Sequence, residues 1–394
     1  MTPMDSDLTA GVADYLRIFC TTLYGGTFDL DSSMQRYLST FLSFPCPSAS
    51  PLRQETSFHS ALTHPDRLLE LIEASNEIVE SYKPSSTDHK TANILQLFLK
   101  FLSKHGQLEL MLDIETIGRD DAKLQLLAKH LVDAILKPMK LAGGVKSDAS
   151  ATSSPVPTIA DAIADSSTQL RPLNGHSLET VKAHCLQRDG FRCTYSHIFD
   201  RRSAFDKKVV PPADAFVQGT HLTHILPLGL GKFNNADGRQ KKASDVLWFA
   251  LYRYFPGLKG KIGPETLNQY QNLITFAIGV HATFDGYFIA FDPLPQQMHR
   301  YEIKWFTPWP IGGATPPQGH QDVMTLPSKD PRYPLPDPEF FRAHCQVSAI
   351  LEASGIGYRI DTELGAVEED PGNLDPDGST DVGSILRQRM LMDV

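Results

Sequence analysis

One stretch, GGVKSDASATSSPVPTIADAIADSST at residues 143–168, constrains this chain more than any other. Rich in Ser, Ala, Asp and Pro, it carries too little apolar surface to order itself, so it reads as a linker between separately folded parts. The chain has 394 residues, more than one core usually organises, and each side of the linker is long enough to build its own. An apolar fraction of 41% against 21% charged residues excludes a wholly disordered chain. No run approaches the roughly 18 uninterrupted apolar residues that span a bilayer. Asp5 and Asp7, without a basic flank, do not fit a secretory leader. Cys20, Cys46, Cys185, Cys193 and Cys345 are scattered and odd in number, which fits reduced thiols. The expected location is intracellular, in cytoplasm or nucleus.

Before the linker the pattern is helical. Leu68, Leu71, Ile72, Ile78 and Val79 recur at helical spacing, as do Ile94, Leu97, Phe98, Phe101 and Leu102, and then Leu124, Leu127, Leu131 and Ile135. Residues 1–142 are therefore expected to form a mostly α-helical domain. After the linker, from 169 to 310, short apolar runs alternate with Gly, Pro and Asn. LITFAIGV (273–280) and YFIAF (287–291) have strand character, while 177–189 and 244–255 open on Ser177 and on Ser244-Asp245 like capped helices. This second domain is expected to be α+β. A proline-crowded extension with a helix opening at Asp337-Pro338 occupies 311–362, and an acidic tail 363–394. Charge follows the same divisions: −7 over 1–168, +6 over 169–310 and −8 over 311–394. Only the middle third has the sign to attract a polyanion.

Within that basic domain, polar residues with chemistry stand between the apolar runs. THLTHILP carries His221 and His224, and NLITFAIGVHATFD carries Asn272, His281 and Asp285. A neutral imidazole at a strand end takes a proton from water near neutral pH. A second imidazole on a following helix can hold a divalent ion, which polarises a phosphoryl oxygen and stabilises the leaving alkoxide. An asparagine between them has the donors and the acceptor to pin the loop that orients the first. These parts suit metal-assisted hydrolysis.

The order His224, Asn272, His281, with HILP around the first and the last following the second by nine positions, resembles the HNH endonuclease family. The likeness is greatest to a branch found largely in uncharacterised fungal proteins. There a cysteine-bearing strand (here FRCTYS) precedes the first histidine and a "-FD" helix follows the last; it covers roughly 185–355. The resemblance implies a ββα-metal core with helical additions, and a divalent-metal-dependent endonuclease hydrolysing nucleic-acid phosphodiesters. It implies His224 as general base, Asn272 as the loop-ordering residue and His281 as ligand to Mg, Mn or Zn. Nucleic acid is the implied partner; Lys232, Arg239, Lys241 and Lys242 have the charge to contact its backbone, although for Lys241 and Lys242, as for Lys207 and Lys208, solvated charge in a polar loop is the commoner role. Many members carry an acidic residue or a histidine just before the base, where this chain has Thr223, a poor ligand. His221 is expected on the opposite strand face from His224. Cys185 and Cys193 read as buried apolar residues. Two other readings stand beside the nuclease: an HNH fold kept as a binding scaffold without turnover, and an enzyme recruited to fungal small-molecule biosynthesis.

Overall fold

The computed structural model describes residues 65–84, 90–143, 177–231, 238–307, 322–326 and 328–361. The expected linker beyond Gly143, the acidic tail, Cys20, Cys46 and Lys232 lie outside these residues. In chain order come α1 (Pro65–Glu80), α2 (Thr91–Phe101), α3 (Lys104–Ile117), α4 (Asp121–Leu131), a π-helix (Val132–Leu136) and α5 (Lys137–Gly143). Next come α6 (Leu178–Arg188), β1 (Phe199–Asp200), α7 (Arg201–Phe205), β2 (Val217–Gln218), β3 (Thr220–His224) and α8 (Gly238–Tyr254). The rest are β4 (Leu273–Ala277), α9 (Ile278–Asp285), β5 (Ile289–Pro293), β6 (Arg300–Trp305), β7 (Val323–Thr325) and α10 (Pro338–Ser354). The fold is mixed α and β, in two compact units.

The first unit holds α1–α4 and, from much later in the chain, residues 234–256 with α8. Its units of sequence are therefore not consecutive. The stripes legible in the sequence form its core: Leu71, Val79, Ile94, Phe98, Leu124, Leu127 and Leu131 are all buried. Helix α3 has no such clean stripe, because Leu108, Leu110, Met111, Asp113 and Ile114 are buried around most of its circumference. Ser103 caps α3 by accepting from the Gly106 amide, and Asp120 caps α4 by accepting from Lys123. Gly106 is needed inside α3 because any Cβ there would collide with the Tyr254 carbonyl of α8. At this crossing Arg253 donates to both Asp113 oxygens at 2.9 and 2.6 Å and pairs with Glu109 at 3.0 Å. The Tyr254 hydroxyl adds a bond to Asp113 at 2.9 Å. Buried charge of this kind is tolerated only when paired and hydrogen-bonded.

The second unit is organised by the antiparallel pair β3–β4, in register from Thr220 opposite Ala277 to His224 opposite Leu273. On one face Val181 and Cys185 of α6 pack against Leu273, with Leu222 beside them. Over Phe276 lie Phe284 of α9 and Phe291 of β5, at ring distances of 5.3 and 5.6 Å. A second sheet runs β5–β6–β7, all antiparallel, and α10 covers it with Phe341 against Phe291 and Tyr301. Helix α10 begins as expected, with Asp337 accepting from Glu339 and Pro338 in the first turn, and ends at left-handed Gly355.

Four local expectations need correction. FRCTYS is not a strand: Arg192 makes a single bridge to Phe199, and the chain between turns back so that His197 donates to the Cys193 carbonyl, with Phe191 and His197 at positive φ. The apolar run 273–280 is strand only to Ala277, since Ile278–Val280 open α9 and bring Phe284 back over Phe276. Helix α8 begins at Gly238, so Ser244 lies buried inside it rather than at its cap. Within the proline-crowded extension, read without regular structure before its helix, Val323–Thr325 is a strand paired with β6. In the last two cases tertiary packing overrides a local signal.

Candidate active site

The end of the β3–β4 pair is fixed by three polar residues. Asn272 is fully buried just before β4, and its amide spans the chain opposite. Its Oδ1 accepts from the Leu226 amide at 2.8 Å, while Nδ2 donates to the carbonyls of Leu226 and Leu267, both at 2.9 Å. An asparagine can do this because its amide carries donor and acceptor together. The loop leaving His224 is thereby pinned two residues beyond the histidine.

Arg188, also fully buried, uses all five guanidinium N–H groups. It donates to Asp189 at 2.7 and 3.0 Å and to the carbonyls of Tyr270, Leu273 and Pro334 at 3.1, 2.8 and 2.9 Å. The Tyr270 and Leu273 bonds bracket Asn272. Asp189 in turn accepts from the Thr275 amide at 3.1 Å. The path of the loop is thus set from both sides before any reacting group is considered.

His224 and His281 line a single cleft of about 120 Å³, together with Phe284, Asp285, Tyr287 and His344. The His224 Nε2 faces the Asn268 Oδ1 at 3.4 Å. A carboxamide oxygen only accepts, so this contact is a hydrogen bond in the tautomer that carries its proton on Nε2. His281 sits in α9 with its Nε2 3.0 Å from the Asp285 carboxylate one turn later. Burial pushes the Asp285 carboxyl upward, and the hydrogen bond and charge of His281 oppose that shift. On its other side His281 meets the ring of His221, with centroids 4.8 Å apart. His221 is pushed down to about 4, first by burial and then by the neighbouring His281 and Lys182. His221, expected on the far face of β3 from His224, is the strand histidine whose ring meets the helix histidine.

His344 was not singled out by its sequence context, because it lies within the apolar face of α10. It is fully buried between Phe284 and Tyr287, stacked at 3.8 and 4.6 Å, with Nε2 3.2 Å from the Phe284 carbonyl. Burial holds it down at about 3, so the ring is neutral. Asn268, the partner of His224, was missed as well; its place four positions before Asn272 was the available signal. Thr223, adjacent to His224, is fully buried and its hydroxyl finds no hydrogen-bond partner among the described residues.

Of the lysines and arginine expected to contact nucleic acid, Lys241 is half-buried in α8 of the first unit, one turn before Asp245. Arg239 lies in the same helix; Lys242 does too, and the cleft belongs wholly to the second unit. Cys185 and Cys193 are buried thiols, with burial raising Cys185 to about 12. Among the described residues no group of three or more His, Cys, Asp or Glu side chains is arranged to hold a metal ion, and no helix is long and apolar enough to cross a membrane. The donors that do converge are two: His281 Nε2 and Asp285 Oδ2, 3.0 Å apart, a separation that suits two corners of one cation's shell. Comparison with known proteins yields no matching family model, no matching curated protein and no matching solved structure.

Proposed function

We propose that the second unit is an HNH-like ββα hydrolase of nucleic-acid phosphodiesters, with β3, β4 and α9 as its core and His224 as its general base. The observation that carries this reading is the shared cleft: His224 and His281 line it from a strand end and a following helix, and the intervening loop is pinned by Asn272. His224 takes a proton from water, and the contact of its Nε2 with Asn268 orients the ring. Asn272 and Arg188 hold that geometry; neither touches the reacting atoms. His281 and Asp285 would hold a divalent ion, Mg, Mn or Zn. When bound, such an ion supplies charge stabilisation at the phosphoryl and leaving oxygens. Phe284, Tyr287 and His344 wall the cleft with stacked rings.

A second reading has its own support. Thr223 stands where many family members place an acidic or imidazole ligand, and it is buried without a hydrogen-bond partner among the described residues. That favours a fold retained as a binding scaffold. The two are separated by incubating supercoiled plasmid with full-length protein in Mg²⁺, Mn²⁺ or EDTA, beside His224→Ala. Metal-dependent nicking that falls by about 10²–10⁴ in the variant, with unchanged circular dichroism, is the expected result. Folded protein that nicks nothing with any metal sinks the nuclease and leaves the scaffold; nicking that persists in EDTA removes the metal from the account.

A further inference from the structure

Between Asp200 and Gly219 the chain makes an excursion whose root is rigid and whose outer part is apolar and basic. At the root Asp200 is buried: one carboxylate oxygen accepts from the Ser203 amide and hydroxyl, both at 2.8 Å, and the other from the Thr220 hydroxyl at 2.7 Å. Lys182 ties the Thr220 carbonyl at 2.8 Å, and β1 pairs with β2 in parallel. The excursion is therefore anchored directly to the first residue of β3, the strand that ends in His224. Beyond the root, Phe205 is 79% exposed, Phe216 81% and Val210 87%. Arg201, Arg202, Lys207 and Lys208 are exposed alongside them. Two carboxylates, Asp206 and Asp214, accompany these four cations. Asp206 meets Arg202 and Lys208 only at 3.8 and 3.6 Å, as solvent-screened pairs.

Two phenylalanines left in water cost free energy, and nothing in the unit's own core explains them. Cations within four residues on both sides of Phe205 suit a polyanion that also offers flat apolar faces. Duplex nucleic acid hides those faces; unpaired strands expose them. A lipid surface fits less well, because Asp206 and Asp214 would have to approach anionic headgroups and hydrocarbon beside the inserted rings.

We propose that the 201–218 excursion binds single-stranded nucleic acid, Phe205 and Phe216 stacking on unpaired bases while Arg201, Arg202, Lys207 and Lys208 contact phosphates. This rests on the nucleic-acid reading of the cleft and names its substrate form: the strand enters unpaired. Recognition is by stacking and charge, so it tolerates any sequence.

The test is fluorescence anisotropy of a fluorescein-labelled oligothymidine with full-length protein in EDTA, beside a duplex of equal length and phosphatidylserine vesicles. The single strand binds more tightly than the duplex, and the Phe205→Ala/Phe216→Ala double variant raises Kd about tenfold or more. Phe205→Trp keeps binding, which separates lost stacking from lost fold, and Lys207→Ala/Lys208→Ala lowers the log–log salt slope by about 1.4. Equal Kd for the double alanine variant and the parent overturns the proposal, as does preference for duplex or for vesicles. Nicking of plasmid without oligothymidine binding rejects the excursion's role alone. Phenylalanine-dependent binding without nicking rejects the catalytic reading alone.

Discussion

Each compact unit buries an arginine, and the two are partnered differently. In the first, Arg253 is matched to carboxylates, Asp113 and Glu109, so charge meets charge between α8 and α3. In the second, Arg188 meets one carboxylate, Asp189, and spends its remaining donors on the backbone carbonyls of Tyr270, Leu273 and Pro334. The first arrangement fastens helices that would otherwise slide. The second dictates the course of irregular chain, and the chain it dictates contains Asn272. The same side chain is thus a clamp in one unit and a template in the other.

The largest effects come from removing one partner of each arginine. Asp113→Ala leaves Arg253 without its bidentate partner and should cost about 3–5 kcal/mol in urea unfolding. Amide exchange at Leu226, in the other unit, should be unaltered by it. Arg188→Met should cost a similar amount and, unlike the first, should speed exchange of the Leu226 amide, because the loop holding Asn272 loses its frame. Equal Leu226 protection in the two variants would erase the distinction between clamp and template.

Asn272→Ala sharpens the comparison at a single residue. It strands one amide and two carbonyls, at about 1–3 kcal/mol for each group that water cannot reach, and frees Leu226 to exchange while Arg188 stays in place. If Leu226 remains protected, Arg188 alone sets the loop.

Acid should act on the second unit through its buried imidazoles. His344 is held down at about 3 and His221 at about 4, below the ordinary value of about 6.5. The unfolded chain then binds more protons between those values, so this stability is complete above about pH 6.5 and is lost as pH falls towards 4 and 3. In His344→Phe, which keeps a ring between Phe284 and Tyr287, the acid limb of stability against pH should be shallower by about one proton, about 1.4 kcal/mol per pH unit. An unchanged limb assigns the acid sensitivity elsewhere; His130 of the first unit, lowered to about 4 by burial, is the alternative source.

The smallest effect is expected at Thr223→Val. Its hydroxyl has no partner to lose, so stability should stay within about 1 kcal/mol and can rise. A loss well beyond that would show that the hydroxyl is bonded in solution.

How much of this was readable from the sequence follows from the range over which each signal acts. Stripes such as Leu124, Leu127 and Leu131 are local and became buried helix faces, and Ser177 and Asp337 cap α6 and α10 as their spacing implies. Helix α3 was missed because burial on most sides leaves no period to detect. At the cleft, residues set apart in the chain were legible only as types. His224, Asn272 and His281 stood out by order, whereas Asn268 and His344 acquire meaning only through partners 44 and 60 residues away. No pattern of spacing announces that His221 meets His281, since that contact depends on α9 turning back across the pair.

The late return of α8 to the first unit has a consequence for the chain as it is made. Asp113 and Arg253 are 140 residues apart. At typical elongation rates of about 5–20 residues per second, Asp113 waits roughly 7–30 s for its partner to leave the ribosome. Helices α1–α4 are therefore made well before the segment that supplies Arg253 to them. They remain an unfinished bundle while most of the β3 region is synthesised, and the first unit is completed only by a segment that interrupts the second.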